Sequence, residues 1–302
     1  MGEILSRALC FVGIILLGYI LRKKGFFQES DFHTLSKVVL KITLPAAIVS
    51  SFAGKEIDPS MLFLSAIGLG GGVILLLVVF LVGGTKNRQQ TAFEMVNTAG
   101  YNIGNFTLPF VQSFLGPVGV MTTSLFDVGN AWICLGGAYG VADVIKGGDK
   151  FSVKRILKAL TKSMAFDCYM IMIIMNLLHI PMPSVVVSFA DIIAAGNAFV
   201  AMLMIGVGFK LGGDMSQRSS IIRMLCIRYS VSALMAAGCY FFLPFDLEIR
   251  QTLVLLMFSP LPSAAPAFTA ELDGDTGLAS AVNSLSIVCS IVIIVLLLLI
   301  ML

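Results

Sequence analysis

Long apolar runs constrain this chain more than any other feature. Residues 73–81 and 291–302 are uniformly apolar and lie inside still longer apolar stretches. A helix that crosses a bilayer needs about 20 such residues. Only 12% of the residues are charged, whereas soluble domains carry roughly 25%. We therefore expect an integral membrane protein whose main surrounding is the lipid bilayer.

Several other classes of protein are excluded. The N-terminal MGEILSRALC lacks a basic start and a cleavage site, so it is predicted to begin a first membrane helix rather than a cleavable signal. The six cysteines lie singly and the two histidines are isolated, which predicts neither a disulfide framework nor a zinc site. The GLGGG at 68–72 lies in an apolar helix and favours close helix packing over phosphate binding. No HExxH motif is present, and we expect no enzyme, no cofactor and no nucleic-acid partner.

The hydropathy pattern predicts an all-α fold with ten transmembrane helices. Loops rich in glycine, proline and charged residues separate them. The predicted bounds are 3–22, 34–53, 61–82, 91–113, 117–140, 163–180, 184–209, 220–243, 247–270 and 278–302.

Basic residues are concentrated in alternate loops. Cytoplasmic loops carry the excess of lysine and arginine, so both termini are predicted to lie outside a plasma membrane that the chain crosses many times. The less basic side has only Arg7, Lys55 and Arg250. The other side has Arg22, Lys23, Lys24, Lys86, Arg88, Lys146, Lys150, Lys154, Arg155, Lys158, Lys162, Lys210, Arg218 and Arg223.

The ten helices divide evenly. Residues 1–140 hold five, residues 163–302 hold five, and a basic cytoplasmic linker at 141–162 is predicted to be a loop from residue 143 onward. Because five is odd, a repeated five-helix unit must enter the membrane from opposite sides. Inverted repeats of this kind are typical of secondary transporters.

Two helices at matching places in the halves are poor helix formers. Helix four contains NTAGYNIGNFTLPF at 97–110, and helix nine contains SPLPSAAPAF at 259–268. Pro260, Pro262 and Pro266 cannot all lie in an unbroken helix, so the second break is predicted to be irregular over several residues. Paired interruptions of this kind indicate a transporter's binding site.

The chemistry of these breaks suits a small carboxylate. Unwound backbone at membrane depth must face protein or a water-filled cavity, and a half-helix that starts after a break directs free N–H groups into the gap. Asn102 and Asn105 add amide groups, and Gly104 allows close approach of a neighbour. The alternative is a simple kink at Pro109, with the asparagines bonded to neighbouring helices.

Ionisable residues inside the helices give further candidates. Asp127 and Asn130 share one face of helix five and are predicted to brace the breaks or to carry a coupling proton or cation. The alternative for Asp127 is a structural carboxylate bonded to backbone N–H groups. Asn283 is the corresponding polar residue in helix ten. Three further predictions are that Arg228 reaches back to the inner face or else pairs with an anionic substrate, that Asp167 lies near a membrane boundary, and that Glu94 is solvated near the inner face or else lines the entry.

The motifs NIGNFTLPF, FDVGN at 126–130, RKKGF at 22–26 and TLPAAIVSSF at 43–52 resemble those of the auxin efflux carrier family, whose bacterial members include malate and malonate permeases. The resemblance implies two five-helix inverted repeats, similar to bile-acid sodium symporters. Helices four and nine would break and cross in a transport domain that moves against a scaffold. One arm of the crossover would contain Asn102, Asn105 and Pro109, and the other Pro260, Pro262, Ser263 and Pro266.

Two stretches depart from the family pattern. Helix six opens with SMAFDCYM at 163–170 where an Asn-Pro pair is usual, and Gly196-Asn197 replaces a frequent proline. The function expected is secondary active transport of a small organic anion, such as malate, malonate or an auxin-like acid. The alternatives are a sodium-coupled bile-acid-type symporter and a passive anion channel. Coupling to H⁺ or Na⁺, and a homodimer through scaffold helices, are open.

Overall fold

The computed structural model describes residues 2–84, 87–148, 151–209 and 218–302, apart from the side chains of Glu3 and Ile4. Within these ranges all regular secondary structure is helical, and no strand occurs there. Lys86, Lys150 and Lys210 of the predicted basic set lie outside the described residues.

The first half of the chain forms eight helices joined by short irregular turns. Wider π-helical turns occur at Val39–Thr43, Ile103–Thr107 and Ile133–Gly137, and a 3₁₀ turn at Pro59–Leu62 leads into the fourth helix. The helices are α1 (Gly2–Lys23), α2 (Asp31–Val38), α3 (Leu44–Phe52), α4 (Phe63–Gly83), α5 (Arg88–Val96), α6 (Leu108–Phe114), α7 (Gly116–Trp132) and α8 (Ala138–Lys146).

The described residues of the second half form eight further helices. They are α9 (Val153–Leu160), α10 (Met164–Leu177), α11 (Ser184–Ala194), α12 (Asn197–Gly208), α13 (Arg218–Phe242), α14 (Leu247–Met257), α15 (Ala265–Glu271) and α16 (Thr276–Met301).

Seven helical stretches in the described part of the chain are long and apolar enough to cross a membrane, and a bent pair, α9 with α10, makes an eighth if it is one span. This confirms a multi-pass, all-helical membrane protein. The stretches 88–114 and 247–271 consist of helices too short to cross alone. Ten spans therefore stay a prediction. The seven are Leu5–Lys23, Asp31–Phe52, Pro59–Gly83, Gly116–Lys146, Ser184–Gly208, Arg218–Phe242 and Thr276–Met301.

The segment predicted as a basic loop is partly helical. Helix α8 continues to Lys146, and α9 begins after Ser152, whose side chain accepts a hydrogen bond from the Arg155 backbone N–H. The sequence VKRILKAL places apolar residues on one helix face. The prediction of a loop here was wrong because it relied on the high density of basic residues and not on this periodicity.

The helices other than α9 pack in two groups, and α9 lies against α7 and the turn before α8. The first group comprises α1–α3 and α10–α12, in which α1 packs along α12 and α3 lies between α10 and α11. The second group comprises α4–α8 and α13–α16, in which α4 packs along α7 and α14 contacts both α7 and α13. Both interrupted stretches belong to the second group, and α3, α10 and α12 of the first group flank them.

Glycines bring helix backbones into direct contact. A Cβ on Gly68 of α4 would lie 2.0 Å from the Phe126 carbonyl oxygen of α7, and one on Gly129 of α7 would lie 1.8 Å from the Ser65 carbonyl oxygen. Such close approach is possible only without side chains. The packing role predicted for the 68–72 glycines is therefore confirmed at Gly68.

Gly68→Ala is expected to destabilise the protein by about 1–3 kcal/mol, because an added methyl group must push α4 away from α7. Gly70→Ala is a matched control on the same helix, since nothing lies within 4 Å of a Cβ built there. Thermal unfolding of the purified proteins in detergent measures the difference. Equal melting temperatures for the two variants would contradict this account of the α4–α7 contact.

Hydrogen bonds join helix ends that the charge pattern predicts to lie on the same side of the membrane. Arg22 at the end of α1 donates to the carbonyls of Val207 (2.8 Å) and Phe209 (2.5 Å) at the end of α12. Lys146 at the end of α8 pairs with Asp273, just after α15, at 3.1 Å. We call the side that carries these ends the basic face.

Candidate functional site

The first break lies between α5 and α6. Helix α5 ends at Val96, residues 97–102 leave the helix, and a π-helical turn at Ile103–Thr107 leads into α6. Gly100 has φ +81°, a left-handed conformation that favours glycine. Pro109 stands in the first turn of α6, where its missing N–H costs nothing. The break therefore precedes Pro109, and a simple proline kink does not describe it.

The second break lies between α14 and α15. Helix α14 ends at Met257, residues 258–264 are non-helical, and α15 begins at Ala265. Pro260 and Pro262 lie inside the break, and Pro266 occupies the first turn of α15. The predicted irregularity over several residues is confirmed.

The two breaks are hydrogen-bonded to each other. The Asn102 backbone N–H donates to the Pro260 carbonyl at 2.9 Å. The Asn105 side-chain amide donates to the Ser263 hydroxyl at 3.2 Å. Just behind this contact, the Thr107 hydroxyl donates to Ser259 at 2.6 Å. The predicted residues of the two stretches, which are far apart in the chain, thus lie side by side.

Helix α7 braces the first break. The Asn130 side chain accepts from the Tyr101 N–H at 3.0 Å and donates to the Tyr101 carbonyl at 2.9 Å. The Asn130 amide therefore bonds both the N–H and the carbonyl of one residue, as a neighbouring strand would. The same amide donates to the Asp127 carboxylate at 2.8 Å, which fixes its orientation.

Helix α16 braces the second break in a similar way. The Ser286 hydroxyl accepts from the Leu261 N–H at 3.1 Å, and the Asn283 amide donates to the Pro262 carbonyl at 3.3 Å. In each half a pair of polar residues three positions apart on one helix thus supports the adjacent break. Asn283 and Ser286 bond its backbone directly, whereas Asp127 acts by orienting Asn130.

Asp127 also joins the two helix groups. One carboxylate oxygen accepts from Asn130, and the other accepts from the Tyr169 hydroxyl of α10 at 3.0 Å. The alternative prediction, that backbone N–H groups bind this carboxylate, is wrong: the partners are side chains. No lysine or arginine pairs with Asp127 in the part of the chain that the structure describes.

Arg228 of α13 holds both breaks at once, and its side chain is 1% exposed. One guanidinium nitrogen donates to the Thr98 carbonyl in the first break. The other donates to the carbonyls of Ser259 (2.7 Å) and Pro260 (3.2 Å) in the second. The guanidinium carbon lies 5.2 Å from the centre of the Tyr101 ring. The predicted reach of Arg228 toward the inner face is therefore wrong.

A signal for this role was present in the sequence. Each helix that ends inside the membrane leaves carbonyl groups without intrahelical donors, so two breaks need a residue with several donors. Arginine has five N–H donors in a planar fork. Arg228 lies ten residues into α13 among mostly apolar neighbours, which is the place to look for such a residue.

Two other predictions concern acidic residues. Glu94 is 1% exposed and accepts from Arg223 of α13 and from Gln90 at 2.7 Å. Its predicted solvation is wrong, because the ion pair takes the place of water. Asp167 is exposed in the first turn of α10, as expected near a boundary.

Two cavities flank the breaks. The larger, about 470 Å³, runs from the breaks to the α1–α2 loop on the basic face. The smaller, about 210 Å³, lies on the side of α3, α7 and α10 and is lined by Asp127, Asn130, Tyr169 and Gly104, among others. Asn102, Asn105 and Ser263 line both cavities, and Pro266 and Asn283 line the larger. Pro109 and Pro260 line neither.

The larger cavity offers amide and hydroxyl groups. Asn105 and Asn283 each have a buried side-chain oxygen without a hydrogen-bond partner among the described residues. Ser280 and Ser284 add hydroxyl groups. No lysine or arginine of the described residues lines either cavity, and those residues include no cluster of three histidine, cysteine or acidic side chains that could hold a metal. Glu29 and His33 line the α1–α2 end of the larger cavity and Asp127 lines the smaller, whereas the groups at the breaks themselves are neutral hydrogen-bonding groups that can bind a small polar solute.

A multi-pass helical protein with two facing helix breaks beside a polar cavity has the features of a membrane transporter. Residues 5–143, which include the first break, match the family model for membrane transport protein. The chain is also similar to an uncharacterized transporter from Methanothermobacter thermautotrophicus, with 24% identity over 287 residues that cover 92% of each chain. Both similarities support a membrane transporter rather than an enzyme.

Proposed function

We propose that the protein is a secondary transporter that carries a small organic anion across the plasma membrane by alternating access. One observation carries the proposal: the two breaks are hydrogen-bonded to each other beside a cavity of about 470 Å³ lined by Asn102, Asn105, Ser263 and Asn283. The resemblance to auxin efflux carriers supports a mono- or dicarboxylate, such as malate, malonate or an auxin-like acid.

In this proposal the carboxylate is held by hydrogen bonds rather than by ion pairs. The Asn105 and Asn283 amide nitrogens each have a second N–H besides the one that bonds Ser263 or Pro262, and the Asn102 amide adds further donors. Because no lysine or arginine among the described residues lines the cavities, binding is weak enough for release on the far side, a requirement that carriers share with channels. A single negative charge is the easiest to accommodate, and a dicarboxylate would need a compensating H⁺ or Na⁺.

In this proposal the two helix groups move relative to each other. The second group contains the breaks and would move against the first, which would serve as the scaffold. The larger cavity reaches the basic face, which the charge rule assigns to the cytoplasm. We propose that this conformation is open inward, that both termini lie outside, and that ten spans form two inverted five-helix repeats.

Asn105→Ala is expected to abolish stabilisation by substrate, because it removes an amide that lines both cavities. A ligand at about 100 times its Kd stabilises a protein by about 2.7 kcal/mol, which a thermal-shift assay with malate, malonate and monocarboxylates detects readily. Gln89→Ala, which removes an exposed amide outside both cavities, is the control. An equal carboxylate shift in Asn105→Ala and wild type would contradict the proposed site.

Transport in proteoliposomes separates the proposal from its alternatives. A carrier accumulates labelled anion against its gradient when a coupling ion gradient is imposed, whereas a channel only equilibrates it. Dependence on Na⁺ with a steroid-like substrate would favour the bile-acid-type symporter. Stabilisation by neutral or cationic solutes alone would overturn the organic-anion proposal.

Asp127→Asn tests whether this carboxylate carries a coupling proton. Asparagine can still accept from Asn130 through its oxygen and can donate through its amide nitrogen to the Tyr169 hydroxyl oxygen, so a purely structural role predicts near-normal uptake. A proton-carrying role predicts that uptake falls at least about tenfold, which corresponds to a barrier change of about 1.4 kcal/mol. Uptake would also lose its dependence on an imposed pH gradient. Full uptake with unchanged pH dependence would exclude Asp127 as the proton carrier.

A further inference from the structure

Helix α9 has three distinct faces. Ile156 and Leu160 are buried and pack with Trp132 and other residues of α7 and α10. Val153 and Leu157, next to them around the helix, are 50% and 46% exposed. Lys154, Lys158 and the following Lys162 are exposed on the far side. The apolar side of α9 is therefore wider than the part that is buried against α7 and α10. Its exposed part is bordered by the lysines.

The position of α9 places this surface at the edge of the membrane. Helix α9 turns directly into α10 through a short connection at 161–163, and the two axes differ by 79°. With α10 as the main part of the predicted membrane helix 163–180, the 79° bend places α9 close to the membrane plane. It lies on the basic face, beside the ends of α8 and α15.

We propose that α9 is an interfacial helix that binds anionic phospholipids of the leaflet at the basic face. Val153, Leu157 and the exposed Phe151 would enter the acyl-chain boundary, and Lys154, Lys158 and Lys162 would contact the phosphate headgroups. An amphipathic helix with a basic polar face binds membranes through these two contributions together. The lipid is recognised by its negative charge and acyl chains.

The same helix is tied to the breaks. Arg155 pairs with Glu271 at the end of α15, the helix that follows the second break. The Arg155 guanidinium also lies 4.3 Å from the centre of the Tyr139 ring in α8. A lipid that holds α9 at the surface thus also acts on α8 and on α15, the helix that follows the second break. The inference does not depend on which solute is carried, because lipid binding is measured without transport.

The test compares melting temperatures of the purified full-length protein in detergent with added phosphatidylglycerol or phosphatidylcholine of the same acyl chains. Phosphatidylglycerol is expected to stabilise wild type more than phosphatidylcholine does. Lys154→Gln/Lys158→Gln is expected to lose about half or more of this excess, since each basic residue near an anionic surface contributes comparably. Lys37→Gln/Lys41→Gln, which removes two exposed charges from α2 and the turn after it, is expected to keep it.

Two further measurements fix the place of binding. Trp132 is the one tryptophan in the sequence and packs against α9, so its emission is expected to change with phosphatidylglycerol in wild type and much less in the α9 variant. Leu157→Ser keeps every charge and is expected to weaken the effect through the lost apolar contact. The proposal is overturned if wild type shows no phosphatidylglycerol excess, or if the α9 lysine variant retains all of it.

Discussion

Arg228→Met is expected to destabilise the protein by about 2–6 kcal/mol, because the buried carbonyls of Thr98 and Ser259 would lose the donor that they share, at about 1–3 kcal/mol each. The Pro260 carbonyl would keep its bond from the Asn102 N–H. Since whole proteins are stable by only about 5–15 kcal/mol, we expect a much reduced yield of folded protein and no measurable transport.

Yield by size-exclusion chromatography and the melting temperature in detergent measure this effect. Arg228→Lys keeps the charge but lacks the planar fork, so it should recover only part of the stability. Arg218→Met removes an exposed arginine from the start of the same helix and is the matched control. Wild-type melting of Arg228→Met would show that the two breaks do not depend on this side chain.

Asn130→Ala is expected to lower stability by about 1–3 kcal/mol, because the buried Tyr101 N–H loses its hydrogen-bond partner. The Tyr101 carbonyl still accepts from the Ile103 N–H. The larger effect is expected on transport. Without the brace the first break can adopt other backbone conformations, and a misplacement of about 1 Å in a binding site can cost roughly 100-fold.

Uptake of the best anion from the thermal-shift panel, at equal amounts of folded protein, is the measurement for Asn130→Ala. Ser124→Ala is the control, since Ser124 is buried in the same helix but bonds only to the Val120 carbonyl one turn away. If both variants transport at the wild-type rate, bracing by Asn130 has no part in transport.

These contacts explain how two unwound segments can be ordered in the interior of the protein. Arg228 supplies donors to both breaks, while Asn130 and Ser286 each accept from a backbone N–H in one break. Because the two segments also bond to each other, they form one unit within the second helix group. The bond from Tyr169 to Asp127 crosses to the first group, so relative movement of the groups must break it.

Much of the fold could be predicted from the sequence. Hydrophobic length alone specifies a multi-pass helical protein, since the bilayer sets the length of a spanning helix. Local chemistry also located both breaks, because proline lacks an N–H and glycine tolerates left-handed backbone. The periodicity of α9 was present as well, but its basic content suggested a loop.

Only the tertiary structure decided which groups meet. The sequence does not show that Arg228 faces Thr98 and Ser259, because a helix has several faces and hydropathy does not say which one is turned toward a break. Glu94 was predicted to be solvated for the same reason, since its partner Arg223 is 129 positions away. Composition and local propensity thus determined the membrane helices and their interruptions, whereas the pairing of polar groups across the core depends on long-range packing.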